Sequence, residues 1–299
     1  MKRALLFFAV AFASSLLPYD AARAWWAGAH VETVKAAARA PSEQLPAFFR
    51  EGEGLIAHAS IDPDIIRGRD APALRDAERP EHFIDLELLK GRKLPPTRYA
   101  YYRLCQELGI NPAITGTLPY AIIEWTQRLA FAFEEHRRYP DNQYIRFKTL
   151  YIAGILSHYA ADLCNPLHCT VHYDGRANPD GSSPHTGIHA KVDGLPEKLE
   201  LTADDFALTE PVEPFEELFK GIVEEIHASR ELIDFVYDNE EKLPREFAVE
   251  RMRAAARFTA RLYETAWSYP FKNGLPSWLD QSRSIDSPFN MEKEPDAKK

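Results

Sequence analysis

The chain has 299 residues, 45% of them hydrophobic and 27% charged, with a formal net charge of −9. That length allows one large core or two small ones, and the acidic balance excludes retention on a polyanion by net charge. Any phosphate recognition must therefore come from locally placed positive charge.

Residues 1–24 read as a secretory signal. Lys2 and Arg3 precede an apolar run over residues 4–17, too short to span a bilayer, and Ala22-Arg23-Ala24 is a cleavage site. Cleavage between Ala24 and Trp25 gives an exported chain, periplasmic or secreted, with no transmembrane anchor. It removes three cationic residues and one anionic one, which moves the net charge to −11. No internal repeat is visible. Cys105, Cys164 and Cys169 leave one thiol unpaired if they bridge at all; an export compartment is oxidising, and buried thiols are the expectation.

From Trp25 onward, Ala29, Val31, Val34 and Ala38 fall at helical spacing and put His30 near a helix start. A lone histidine there is more often surface than ligand. Ser42 is read as the N-cap of a short helix reaching Arg50. Asp62-Pro63-Asp64 leads into another short helix with Arg67 three residues on, a pattern that alone means an acidic helix start with a neighbouring ion pair. His82-Phe83-Ile84-Asp85 follows a polar, proline-containing loop, and its alternation also fits a short extended segment. Helices are expected over residues 99–108, closed by Gly109 and Pro112, and from Gly116-Thr117-Leu118-Pro119 to about Arg138. Ile122, Trp125, Leu129 and Phe133 form the buried stripe of the second.

Residues 150–193 carry the densest signal. Leu150, Ile152, Ile155 and Leu156 make a buried helix that Pro166 stops, and His158 and Asp162 sit four apart on one side of it. His168 follows the Asn165-Pro166 break, and after a loop rich in Gly, Asn, Asp and Ser come His189 and Asp193. The pattern is H-x3-D-x5-H, then H-x3-D. Imidazole and carboxylate with little thiolate suit zinc in a hydrolytic role, with positions left for water and a phosphoryl oxygen. One such pair alone is a satisfied core hydrogen bond; two pairs and a histidine in one segment point to metal.

Residues 194–214 read as a long acidic connection. Amphipathic helices follow over residues 215–237, lined by Leu218, Ile222 and Ile226, and 245–267, with Met252, Ala256, Phe258, Ala260 and Leu262. The tail, residues 282–299, has a disordered composition. With no convincing strand, residues 25–281 are expected to form one compact all-α domain of about seven to nine helices.

The order Trp25-x4-His30, Asp64-x2-Arg67, His82-Phe83-x-Asp85, Gly116-Thr117-Leu118-Pro119, His158-x3-Asp162-x5-His168 and His189-x3-Asp193-Gly194 resembles the secreted three-zinc phosphodiesterases. That superfamily holds bacterial phospholipase C and the single-strand-specific nucleases of fungi and plants. The likeness runs from Trp25 to about Trp267 and implies an all-α domain with a trinuclear zinc cleft. It implies Asp64, His82, His158 and Asp162 on one zinc ion. Asp162 bridges to a second, held by His30 and by the amine and carbonyl of Trp25; His168, His189 and Asp193 hold the third. It also implies that Arg67 neutralises the transition state, and that Asp85 orients the water or a substrate group, or supports a ligand from behind.

Asp62 competes with Asp64 as ligand, and Asp64 is preferred because Arg67 follows three residues on. Where the nucleases carry Gly-Gly-Asn, this chain reads Asp174-Gly175-Arg176-Ala177-Asn178, which leaves their nucleobase pocket in question. His58, His136, His172, His185 and His227 have no assigned role and read as surface. The expected function is a zinc-dependent phosphodiester hydrolase, nuclease-like and acting on single-stranded nucleic acid. The alternatives are a phospholipase C acting on phospholipid, and a non-catalytic zinc-binding protein. No obligate protein partner is implied.

Overall fold

The computed structural model describes residues 25–68 and 70–279; the signal segment 1–24 and the tail 282–299 lie outside the described residues. Among those described, every regular element is helical, and the only strand-like pairings are two isolated bridges. Six helices exceed ten residues: α1 (Ala27–Ala38), α2 (Arg98–Leu108), α3 (Leu118–Arg138), α4 (Gln143–Leu163), α5 (Leu218–Arg230) and α6 (Arg245–Trp267). Shorter helical pieces bring the total above the expected seven to nine, because the segments between the long helices coil into single turns instead of running as loops.

The architecture is centred on α4. Every residue from 153 to 170 is buried, the mark of a helix that is apolar all round and must be wrapped by others. α3 and α6 pack along it, and α1 crosses both α4 and α6. A short helix, Glu53–Ala59, lies so close to α4 that a Cβ on Gly154 would sit 2.5 Å from the Ile56 carbonyl oxygen and 2.6 Å from the Ala59 Cβ. That approach sets the following residue, Ser60, against His158.

A second close approach occurs at Gly116, where φ is +87° and a Cβ would fall 2.0 Å from the Phe83 carbonyl oxygen. The glycine lets Ile84 pair with Gly116 as an isolated antiparallel bridge, so the segment after His82 is extended, one of the two readings its alternation allowed. On its other side, Ile84 N donates to the His168 carbonyl at 2.9 Å. Residues 82–85 are thereby held between the start of α3 and the turn after α4.

Several expectations change. Ser42 does not cap a helix reaching Arg50. Its Oγ accepts from Gln44 N and Leu45 N in a turn, and the helix starts later, at Ala47–Glu51, behind Pro46. The helix expected over 215–237 is split into α5 and a short piece, Ile233–Asp238. No glycine or proline marks the split; it follows Arg230, whose guanidinium donates to Glu87 at 2.8 Å and to the Cys169 carbonyl. The acidic connection is not structureless, since Leu195–Lys198 is helical and Thr202 with Asp205 forms a capping box over Ala203–Phe206. Trp125 is only half-buried, at the edge of the stripe, under the Arg128 guanidinium 4.8 Å away. His136 is buried rather than on the surface, its ring 4.5 Å from that of Phe48. The three cysteines are buried free thiols.

Candidate metal centre

The deep end of α4 presents His158 and Asp162 on one side, as four-residue spacing on a helix requires. Both are fully buried. Around them the fold gathers His30 from the start of α1, Asp64 from the short helix Asp62–Ile66, His82 from the 3₁₀ turn Arg79–His82, and His168 from the turn Pro166–His168. His189 and Asp193 stand four apart on the short helix Ile188–Asp193. The ligating atoms fall into three triads, each mutually within 4.8 Å: His30, Asp64 and His158; His82, His158 and Asp162; His168, His189 and Asp193. Each triad can hold a metal ion.

Asp162 is the hub. Its Oδ2 lies 3.0 Å from His82 Nδ1 and 3.4 Å from His158 Nε2, and its Oδ1 lies 3.5 Å from His30 Nε2 and 3.8 Å from His168 Nδ1. The structure differs in one respect from the grouping the resemblance implies: His30, whose ring stacks on that of His158 at 4.0 Å, clusters with Asp64 and His158 while still facing Asp162. Asp64, not Asp62, enters the cluster, with Oδ1 3.9 Å from His158 Nε2. Asp62 instead pairs with Tyr151.

The hydrogen bonds that orient the imidazoles reveal which nitrogens are bare. His158 Nδ1 donates to the Ser60 carbonyl at 2.7 Å and His168 Nδ1 donates to the His82 carbonyl at 2.7 Å. A neutral imidazole has one N–H, so Nε2 of each is a lone pair pointing inward. His158 Nε2 meets His82 Nδ1 at 3.0 Å and His168 Nε2 meets His189 Nε2 at 3.0 Å. Both nitrogens of His30, His82 Nε2, Asp162 Oδ1 and Asp193 Oδ2 are buried without a hydrogen-bond partner. Lone pairs aimed at each other and at carboxylates in a water-poor interior repel unless a cation lies between them. The donor set is therefore the one a nitrogen- and oxygen-liganded metal requires.

The electrostatics agree. Burial pushes the Asp162 and Asp193 carboxyls well above the usual range, with the Asp64 charge adding to both. Burial lowers the histidines, His158 to about 3 and His168 to about 4, so the imidazoles are neutral near neutral pH. Alone, such buried carboxyls hold their protons; a bound cation would favour their ionised form. The nearest fixed positive charge is Arg67, only 14% exposed, with Nη2 2.7 Å from Asp64.

Trp25 is buried beside this cluster, its indole Nε1 donating to the carbonyl of Ala161, the residue before Asp162, at 3.0 Å. Trp26 N reaches the Asp193 carbonyl at 3.4 Å and Gly28 N reaches Glu197 at 2.6 Å, which ties the start of α1 to the His189 segment. Asp85 is in none of the three triads. Its charged neighbours are Glu87 and Arg230, and burial raises its carboxyl.

Three contributors were not singled out from the sequence. Asn165 is buried; its Oδ1 accepts from Leu167 N and its Nδ2 donates to Asp193 Oδ1 at 2.8 Å, fixing a candidate ligand from behind. The Ser60 carbonyl sets the His158 tautomer. Glu78 places Oε1 3.8 Å from His82 Nε2 and accepts from the Tyr159 hydroxyl. The last was findable, because Glu78 and His82 have the same four-residue spacing as the two His-Asp pairs. Ser60 left no signal, since a carbonyl oriented by packing has no sequence identity.

No helix among the described residues is long and apolar enough to cross a membrane. No family model and no curated protein sequence matches the chain. Among solved structures, alpha toxin from Clostridium absonum matches with a TM-score of 0.49 at 13% identity, over 84% of this chain and 66% of that one. The chain thus spans just under two thirds of that protein's length.

Proposed function

We propose that this chain is an exported zinc-dependent phosphodiester hydrolase of the nuclease-like kind, cleaving single-stranded nucleic acid with three resident zinc ions. The observation that carries the reading is His158 Nε2, a lone pair facing two carboxylates and a second imidazole nitrogen. Asp64, His82, His158 and Asp162 hold one ion. Asp162, His30 and the freed amine and carbonyl of Trp25 hold the second, and His168, His189 and Asp193 the third. Signal cleavage after Ala24 then has a chemical purpose, because it creates the Trp25 amine.

When bound, zinc supplies a water ionised near neutral pH and positive charge for the phosphoryl oxygens. The chain's own residues bind and orient. Arg67 offers a guanidinium fork beside Asp64, suited to two oxygens of a phosphoryl group whose charge grows in the transition state. Phe83, half-buried beside His82, offers a ring that can stack an unpaired base or face a cationic headgroup, and so favours neither substrate. The nuclease assignment is supported by the short Trp25-to-His30 spacing and the Asp64-x2-Arg67 pair.

Phospholipase C is the second reading. It is favoured by Gly187-Ile188-His189-Ala190-Lys191, which resembles the phospholipase stretch, and by the absent Gly-Gly-Asn. A non-catalytic zinc protein is disfavoured because every ligand position is filled. The deciding assay offers zinc-loaded protein single-stranded DNA, RNA and phosphatidylcholine in parallel, with Asp162→Asn as blank. Nucleotide release from single strands well ahead of duplex supports the proposal. Diacylglycerol and phosphocholine without nucleotide release would replace it with the second reading.

A further inference from the structure

His82 differs from His158 and His168 in what stands behind it. His158 and His168 each rest their outer nitrogen on a backbone carbonyl, of Ser60 and of His82 respectively. His82 has no such carbonyl. Its Nδ1 faces inward, 3.0 Å from both Asp162 Oδ2 and His158 Nε2. Its Nε2 is on the opposite edge of the ring, buried and without a hydrogen-bond partner. Among the described residues, the one carboxylate within 4 Å of that nitrogen is Glu78, with Oε1 at 3.8 Å.

We infer that Glu78 is a positioning residue of the metal centre: its carboxylate accepts from the Nε2–H of His82 and so presents the Nδ1 lone pair to the ion shared with His158 and Asp162. This rests on the zinc reading proposed above. The chemistry follows from the single N–H of a neutral imidazole. If Nδ1 is the ligand, Nε2 carries the hydrogen, and a buried N–H requires an acceptor. A carboxylate in that place also raises the basicity of the coordinating nitrogen.

The local fold delivers Glu78 to this task. It ends the helix Pro72–Glu78, which runs directly into the 3₁₀ turn Arg79–His82, so residues four apart fall on one side. The carboxylate is itself held: the Tyr159 hydroxyl donates to the same Oε1. Tyr159 follows His158 in α4, and its ring stands edge-on to both His82 and His158, with centroids 5.7 and 5.6 Å away. The helix that supplies two ligands therefore also locks the acceptor behind a third. Glu78 remains 17% exposed and lies outside all three triads, so it acts through His82 and not as a ligand.

The test uses the processed full chain, with zinc affinity measured by competition against a chromogenic chelator and the His82 tautomer read from long-range ¹H–¹⁵N correlations. Glu78→Ala is expected to weaken one of the three zinc ions by about 10–100-fold and to lose the Nε2–H signature. Glu78→Gln, which keeps an acceptor oxygen, is expected to recover most of the affinity and the tautomer, whereas Glu78→Met, which fills the same space without an acceptor, is expected to recover neither. If Asp162→Asn weakens zinc binding but Glu78→Ala binds all ions as the unsubstituted chain does, the Glu78 assignment fails while the zinc reading stands. If Asp162→Asn leaves zinc binding unchanged, both fail.

Discussion

Residues 158–193 and residues 62–85 both feed the metal centre, and they do so by different physics. In the first, His158 and Asp162 ride on a helix buried all round, and His189 and Asp193 ride on a second helical turn. Backbone periodicity alone sends each pair to one side. In the second, Asp64 and His82 sit on short turns whose directions are set by tertiary packing. Asp85 and Glu78 show the consequence. Asp85 is three residues beyond His82, but the chain becomes extended at Phe83 and the carboxylate ends beside Glu87 and Arg230. Glu78 is four residues before His82 on continuous helical backbone and faces its ring. Helical continuity, not distance along the chain, decides which carboxylate serves the histidine.

Four substitutions sharpen that contrast. The largest effect is expected from the helix-borne hub. Asp162→Asn removes the charge facing His30, His82, His158 and His168; two zinc ions should weaken and kcat should fall on the order of 10³-fold or more, as metal analysis and phosphodiester hydrolysis will show. Arg67→Ala, in the turn-borne region, should lower kcat by about 10²–10³-fold while zinc content stays unchanged. Zinc loss in that variant would make Arg67 a support for Asp64 instead of a group that meets the phosphoryl oxygens.

Asn165→Ala unties Asp193 from behind. It should weaken the ion held by the third triad by about 10–100-fold and lose about 1 kcal/mol of stability, because the same side chain caps the turn at Leu167. Chelator competition and thermal unfolding separate the two effects.

Asp85→Asn should be mildest and opposite in sign for stability. Burial raises the Asp85 carboxyl, Glu87 adds to the rise and Arg230 opposes it. A carboxyl whose pKa rises on folding binds its proton more tightly in the folded state. Stability therefore declines as pH climbs from the usual carboxylate range through the raised folded value. The asparagine variant should melt higher than the unsubstituted chain near neutral pH and no higher near pH 3, about the lower edge of the carboxylate range. Its activity should stay within about tenfold, and a loss of 10²-fold or more would place Asp85 at the reacting atoms as an acid or base.

The fold and the inner centre were legible to the extent that they depend on period and spacing. Residues 245–267, the α3 boundaries and the buried α4 follow directly from apolar periodicity. The His-x3-Asp pairs need nothing beyond a helix. What stayed hidden depends on contacts distant in sequence. The tether of Arg230 to Glu87 and the Cys169 carbonyl accompanies a helix break that no glycine announces. Packing against Phe48 buries His136. Choosing Asp64 over Asp62 took Arg67 as a guide, and the physical ground, Asp62 turned toward Tyr151, lies eighty-odd residues along the chain. Asn165 was visible as a break and not as a support, because its second hydrogen bond goes to a residue in another element.

In the proposed function the inward-facing nitrogen and oxygen atoms around His158 and Asp162 are zinc ligands. The most direct measurement is the zinc content of the purified, processed protein in its active state, alongside its melting temperature before and after chelation. Three zinc ions per chain are expected, with a marked fall in melting temperature on their removal, since metal bound only by the folded state stabilises it by about 4 kcal/mol at a thousandfold excess over Kd. Active protein holding at most one ion, or a melting temperature indifferent to chelation, would contradict that reading.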